Sequence, residues 1–369
     1  MASGKALNGA ALGLLLSLSL AAASQAQTVP QAERTISAFP ILMYDQDIGV
    51  GYGGTAKTVN FLNWNESLDL VLFNSTKGER WYFFAFSRPD LEVRQGRRYG
   101  LAVDFRAESD TFIKYYFYGL GPDSTRLGDN LDSCATFRRQ ELALTLGRGF
   151  SSVFSVEAAY VLRQYKTYDV APDRPFTEIL AVQGSRFAPF LSVVMRFDTS
   201  DSRIDPRRGF SVLLQNDFAG RLSGSRTSFH RWTLDLRSYV GVIRKRVVLA
   251  ARGLVQQISG SDLPVWELSS LGGGAPQSAM RGYVLNRFLD KGKFLACGEV
   301  RLPVWKRVGA VVFAEAGLVW PSWKAISFRR TAFDAGFGLR YRLSNFVARG
   351  DIGFSREGAG VYFNFGHLF

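Results

Sequence analysis

Apolar and polar side chains alternate along this chain in segment after segment, and the dominant period is two. The alternation predicts strands near 37–45, 48–60, 67–77, 80–88, 97–108, 137–147, 152–164, 186–198, 209–219, 228–240, 246–258, 294–304, 309–319, 331–342, 346–355 and 360–369. That is about sixteen, many near the roughly ten residues with which a tilted strand crosses a bilayer. Tyr99, Leu101, Val103 and Phe105 share a face opposite Asp104 and Arg106. Phe187, Leu191, Val193, Met195 and Phe197 oppose Ser192, Arg196 and Asp198. Phe333, Phe337, Leu339 and Tyr341 oppose Asp334, Arg340 and Arg342; Ala348 and Ile352 oppose Arg349 and Asp351. After residue 26 there is no convincing amphipathic helix and no apolar run long enough to span as one.

A soluble sandwich alternates too. Two features point instead to a transmembrane antiparallel β-barrel. The polar face carries charges of both signs in strand after strand, while the apolar face is rich in Phe, Tyr and Trp. The connections are also sorted. Those after even-numbered strands are mostly short, as at Gly149-Phe150, Ile243-Arg244, Trp305-Lys306-Arg307 and Leu343-Ser344. The long ones, 109–136, 165–185, 259–293 and 320–330, follow odd-numbered strands. Short turns on one side and long loops on the other describe an outer-membrane barrel, with the short turns periplasmic.

Composition adds limits. Lys5 precedes an apolar run ending in Ser24-Gln25-Ala26, which predicts a signal peptide over 1–26 and a barrel domain over 27–369. The strands begin so soon after the cleavage site that a periplasmic domain is not expected. The two cysteines, Cys134 and Cys297, make no disulfide framework. The net charge is +13, but the basic residues are spread singly along strands, so nucleic acid is not an expected partner.

Catalytic and metal chemistry find little to stand on. His230 shares the outward face of Trp232, and His367 lies at the very end, so neither is placed as a general base inside a barrel. Metal-ligand spacing is absent. No enzyme activity, metal or cofactor is expected. The acidic stretch 198–205 reads as a hydrogen-bonded periplasmic turn, with Asp198, Asp201, Pro206 and Gly209 as its motif.

One loop stands apart. The stretch 271–302 places Arg281, Gly282 and Tyr283 in a long connection after the eleventh strand. Glu299 follows on the next strand, and Phe313 and Glu315 share one face of the strand after it. An arginine fork pairs well with carboxylates shielded from water. Either Arg281 folds back onto Glu299 and Glu315, or it is a solvated loop residue.

Several segments, taken in order, resemble the bacterial surface antigen family, the outer-membrane barrels of the BamA/TamA superfamily. They are RFDTSDSRIDPRRGF (196–210), MRGY (280–283), CGEVRLPVW (297–305), VVFAEAGLVW (311–320), AGFGLRYRL (335–343) and the terminal FNFGHLF (363–369). The resemblance implies a barrel of about sixteen strands, a weak seam between the first and last strands, and an inward-folded loop whose arginine docks on the wall. Carried over, Arg281, Gly282 and Tyr283 are the loop motif and Glu299, Phe313 and Glu315 the receiving side. Phe363, Phe365 and Phe369, expected on the lipid-facing side of the last strand, become a C-terminal assembly signal. Position 315 is Glu where the family more often has Asp.

Members of the family insert or translocate other proteins, so the expected location is the bacterial outer membrane. The expected partners are outer-membrane lipid, the barrel assembly machinery, and a protein substrate or separate periplasmic partner. The expected role is assistance in protein insertion or translocation. The alternative is a passive or structural barrel, or a small-solute pore plugged by its own loop.

Overall fold

The computed structural model describes residues 31–45, 48–124, 134–168, 185–243, 246–260, 263–342 and 347–369. The expected signal peptide lies outside these residues. The wall strands are β1 (Thr35–Asp45), β2 (Gly49–Val59), β3 (Ser67–Ser75), β4 (Arg80–Arg88), β5 (Tyr99–Tyr116), β6 (Cys134–Gly149), β7 (Phe154–Tyr168) and β8 (Phe190–Asp198). They continue as β9 (Gly209–Ala219), β10 (Phe229–Val242), β11 (Val247–Gly260), β12 (Gly292–Trp305), β13 (Val308–Trp320), β14 (Ala332–Arg342), β15 (Val347–Ser355) and β16 (Gly358–Phe365). The main sheet has 17 hydrogen-bonded segments. One of them, Ser185–Phe187, is a short leading piece of β8, which leaves sixteen wall strands.

Each wall strand pairs antiparallel with the one before it. β1 pairs with β2 from Thr35 through Asp45. Its contact with β16 is different in kind: among the described residues the two meet at one register position, Asp45 opposite Tyr362.

The alternation sorts the side chains as a barrel requires. On β14, Phe333, Phe337, Leu339 and Tyr341 are exposed while Asp334 and Arg340 are buried. A continuous exposed apolar band is what hydrocarbon solvates. Inside, the core is built by wall and loop together. Leu254, Leu295 and Val319 from the wall pack with Leu271, Met280 and Phe288 from the connection after β11. That connection is itself folded, with Ser269–Leu271 paired to Phe288–Asp290.

Two expectations are corrected. Tyr99 does not share the face of Leu101. It is 5% exposed and Leu101 is 54% exposed, because the β5–β6 register shifts between Tyr99 and Ala102. An irregularity of this kind reverses the parity of the residues before it. Phe369 does not lie on the lipid-facing side. β16 ends at Phe365, Gly366 adopts φ +79°, and the chain turns inward. The Phe369 backbone oxygen accepts from Arg301 Nη2 at 2.8 Å, and Phe369 is buried beside Leu368. Phe363 stays outside, and the side chain of Phe365 lies beyond the described residues.

The turn at 199–208 is hydrogen-bonded throughout. Asp198 Oδ1 accepts from the Ser200 N–H at 2.9 Å, and Asp201 Oδ1 from the Arg207 N–H at 2.9 Å. Pro206 is buried. Gly209 sits at φ +100°, where a Cβ would come within 2.4 Å of the Thr199 carbonyl oxygen. Asp205 reaches further, receiving Arg342 Nε at 2.9 Å and lying 3.0 Å from His367 Nε2. Burial works to raise its carboxyl pKa, but the His367 hydrogen bond and the Arg342 charge hold it below the usual range. The stability it contributes is therefore full above the unfolded carboxylate range and lost as pH falls through the depressed value.

The sorted connections set a testable orientation. A protease-cleavable tag after Ser322 is expected to be cut on intact cells, and one at Lys306 to be protected. Cleavage at Lys306 from outside would reverse the orientation.

Candidate functional site: a loop docked in the lumen

The connection after β11 runs into the barrel and is held at two places. The first is Arg281, which is 0% exposed. Its backbone N–H donates to Glu315 Oε2 at 2.7 Å, and its Nε to Glu315 Oε1 at 3.0 Å. Its Nη1 donates to Glu299 Oε1 at 3.2 Å and to Asp351 Oδ2 at 2.9 Å. The guanidinium carbon lies over the Phe313 ring, 3.3 Å from its centroid. Three wall strands thus supply the three carboxylates: β12, β13 and β15. The wall supplies counter-cations as well. Arg301 Nε donates to Glu299 Oε2 at 2.9 Å, and Arg340 Nη1 to Asp351 Oδ1 at 2.5 Å. A buried charge is tolerated only when paired and hydrogen-bonded, and each member of this cluster is.

Gly282 follows because nothing larger fits. A Cβ there would sit 2.7 Å from the Phe354 carbonyl carbon and 2.8 Å from the Ser355 nitrogen. The Gly282 N–H donates to Asp334 Oδ2 at 2.9 Å, and its carbonyl accepts from Ser355 Oγ at 2.7 Å. Tyr283 donates through its hydroxyl to the Phe333 carbonyl at 3.3 Å and stacks edge-on against Phe288. The Tyr283 carbonyl accepts from the Tyr362 hydroxyl at 3.1 Å. Tyr362 is also the β16 residue opposite Asp45, where the first and last strands meet.

The second anchor is Glu267, 0% exposed, at the start of the same connection. It accepts from Tyr165 at 3.0 Å and from Arg231 Nη2 at 2.9 Å, with Arg163 Nη1 at 3.3 Å. Trp266 beside it packs against Phe137 and Tyr165. Arg287 ties the far side of the loop to Glu357 and to Ser124. The loop therefore crosses the lumen from the β7–β10 wall to the β12–β15 wall.

Comparison with known proteins places this architecture. The sequence matches the Omp85 superfamily domain over residues 60–369. The chain belongs to the Omp85 superfamily. Among solved structures it is similar to BamA from Haemophilus ducreyi lacking POTRA domains 1–3, with TM-score 0.65, 14% identity, and coverage of 90% of this chain and 70% of that one. It is also similar to CdiB from Escherichia coli, with TM-score 0.65, 14% identity, and coverage of 91% and 63%. CdiB from Acinetobacter baumannii gives TM-score 0.58, 15% identity, and coverage of 91% and 60%. This Omp85 chain thus spans less than two thirds of either CdiB chain. These likenesses are of fold. A search of curated proteins found no match.

The structure of this Omp85 barrel brings Arg281, Glu299, Phe313 and Glu315 into contact. It also adds partners that sequence reasoning did not name. Asp351 was legible as an inward residue of β15, opposite Ile352, but nothing in its spacing ties it to Arg281. Asp334 and Ser355 bind the Gly282 backbone, a contact without sequence signature. Glu267 sits in a connection with no alternation to place it.

A charge cluster this dry sets the size of the expected effect. Arg281→Ala leaves Glu299, Glu315 and Asp351 facing one another, a loss on the order of 3–5 kcal/mol for a buried pair. The barrel is expected to keep its heat-modifiable fold while the loop undocks, measured as faster proteolysis between Gly272 and Lys291. Glu315→Gln gives part of that effect, and the double variant is less than additive because both changes act on one contact. Additive effects with unchanged proteolysis would mean the contact does not hold the loop.

Proposed function

We propose that the protein resides in the bacterial outer membrane and assists a protein partner to insert into that membrane or pass across it. The wall between β1 and β16 is the part that opens. The observation carrying this reading is that, among the described residues, one register position, Asp45 opposite Tyr362, joins those strands. A typical hydrogen bond contributes about 0.5–1.5 kcal/mol net, so parting a short contact costs little beside parting a full ladder such as β1 with β2. An edge strand whose N–H and C=O groups lack a matching ladder is also a template for an incoming strand. Superfamily membership and the BamA and CdiB folds support the same reading. Tyr362 supports it too, since one residue touches both the seam and the docked loop. A separate periplasmic protein would present the substrate. Phe363, Phe365 and Phe369 would serve the barrel's own delivery to the assembly machinery.

The filled lumen favours a second reading, a passive or structural barrel or small-solute pore plugged by its loop. A cross-link separates the two. Extending the antiparallel register by one step from Asp45 and Tyr362 would set Tyr44 beside Phe363, and both are exposed. Tyr44→Cys with Phe363→Cys, in a Cys134→Ser background, is expected to fold. When oxidised it should fail to restore outer-membrane protein levels in cells lacking the native chain, as read by quantitative proteomics, and reduction should recover them. An unchanged proteome with or without the protein, together with steady conductance in planar bilayers, would favour the passive barrel.

A further inference from the structure

A second ordered feature lies on the outer face of the wall, where β4, β5, β6 and β7 pair. One register row across them reads Arg80 opposite Thr111, Thr111 opposite Arg138, and Arg138 opposite Lys166. The row shares the outward parity of Tyr82 on β4, Leu142 on β6 and Tyr160 on β7, all exposed. Two residues along, the next outward row is Tyr82, Ser109, Gln140, Gln164 and Phe187. The row after that is Phe84, Ala107, Leu142 and Leu162. A basic row, a mixed row and an apolar row therefore descend the wall in order.

A groove of about 530 Å³ crosses the lower two rows. Its floor is β5, because Ala107 and Ser109 are short while Tyr82, Phe84, Gln140 and Leu142 stand on either side. The basic row lies above it, towards the ends of the strands that carry the long connections. Arg138 Nε donates to the Thr111 hydroxyl at 3.2 Å, which lays that guanidinium along the row. Arg80 and Lys166 are exposed. Three inter-strand steps of about 4.8 Å separate the ends of the row, or roughly 14 Å.

A single cation at a barrel rim is ordinary. Three in one row over an apolar recess match a molecule with anionic groups at one end and hydrocarbon at the other. We infer that this face binds a phosphorylated, acylated lipid of the outer leaflet. Its phosphates lie on Arg80, Arg138 and Lys166, and an acyl chain fills the groove. Guanidinium pairs with phosphate bidentately, and ammonium pairs with it as a point charge. Acyl burial in the groove adds the apolar contribution that free phosphate lacks. Among the described residues, the contacts that hold the docked loop and the β1–β16 seam involve none of these.

The test is native mass spectrometry of the full-length purified protein in detergent, with bisphosphorylated lipid A as the probe. Wild-type barrel is expected to retain one lipid. Arg80→Gln with Arg138→Gln and Lys166→Gln should weaken retention tenfold or more in a barrel that is still heat-modifiable. Ala107→Phe fills the groove and should weaken it with all three cations present. Lys166→Gln alone, on an exposed side chain, keeps the test open if the triple variant does not fold, and a severalfold loss is expected. Arg97→Gln with Arg98→Gln and Lys306→Gln removes equal charge at the opposite rim and should change nothing. Equal loss in that control, or retention untouched by the groove and row variants, would overturn the site. Displacement by inorganic phosphate alone at the lipid's concentration would overturn its assignment to a lipid.

Discussion

The docking of the loop on the β12–β15 wall depends on one guanidinium being made electrically tolerable. Arg281 is buried away from solvent, so the wall must bring it carboxylates, and Glu299, Glu315 and Asp351 come from three strands. Those carboxylates in turn need cations when they are not all claimed by the loop, and Arg301 and Arg340 supply them. The cluster fixes where β12, β13 and β15 stand relative to one another as firmly as it fixes the loop. A wall with a different stagger would aim at least one acid away from the site. Loop position and the inward side chains of three wall strands are thus tied through a single charge cluster.

The fold was largely legible because a membrane barrel leaves the chain little freedom. Every strand must alternate, and a parity error exposes charge to hydrocarbon. The alternation therefore located the sixteen wall strands and put Glu299, Glu315, Arg349 and Asp351 on the inward face. It failed where the backbone leaves the regular pleat. Tyr99 precedes a register shift, and Phe369 follows the left-handed Gly366, so counting by twos assigned both to the wrong side.

The site was legible in part for a related reason. Wall residues carry a parity that can be read, whereas loop residues carry none. Arg281 could be matched to acids on the wall, but Glu267 could not be matched to Tyr165, Arg163 and Arg231 from the other direction. Neither could the hydrogen bonds on the Gly282 backbone be foreseen, because they depend on how closely the loop approaches β15. Gly353 shows how close that is: a Cβ there would lie 2.4 Å from the Arg281 carbonyl carbon.

Tyr362 has a thermodynamic consequence. Its hydroxyl holds the Tyr283 carbonyl, and its backbone stands opposite Asp45. If Tyr362 shifts when β1 parts from β16, the two events share a coupling free energy, and such coupling is reciprocal. A strand that wedges the wall apart would loosen the loop, and a molecule that grips the loop from outside would change the ease of parting by the same factor. One tyrosine would then let the seam and the docked loop report on each other without any transmitted rotation of the barrel.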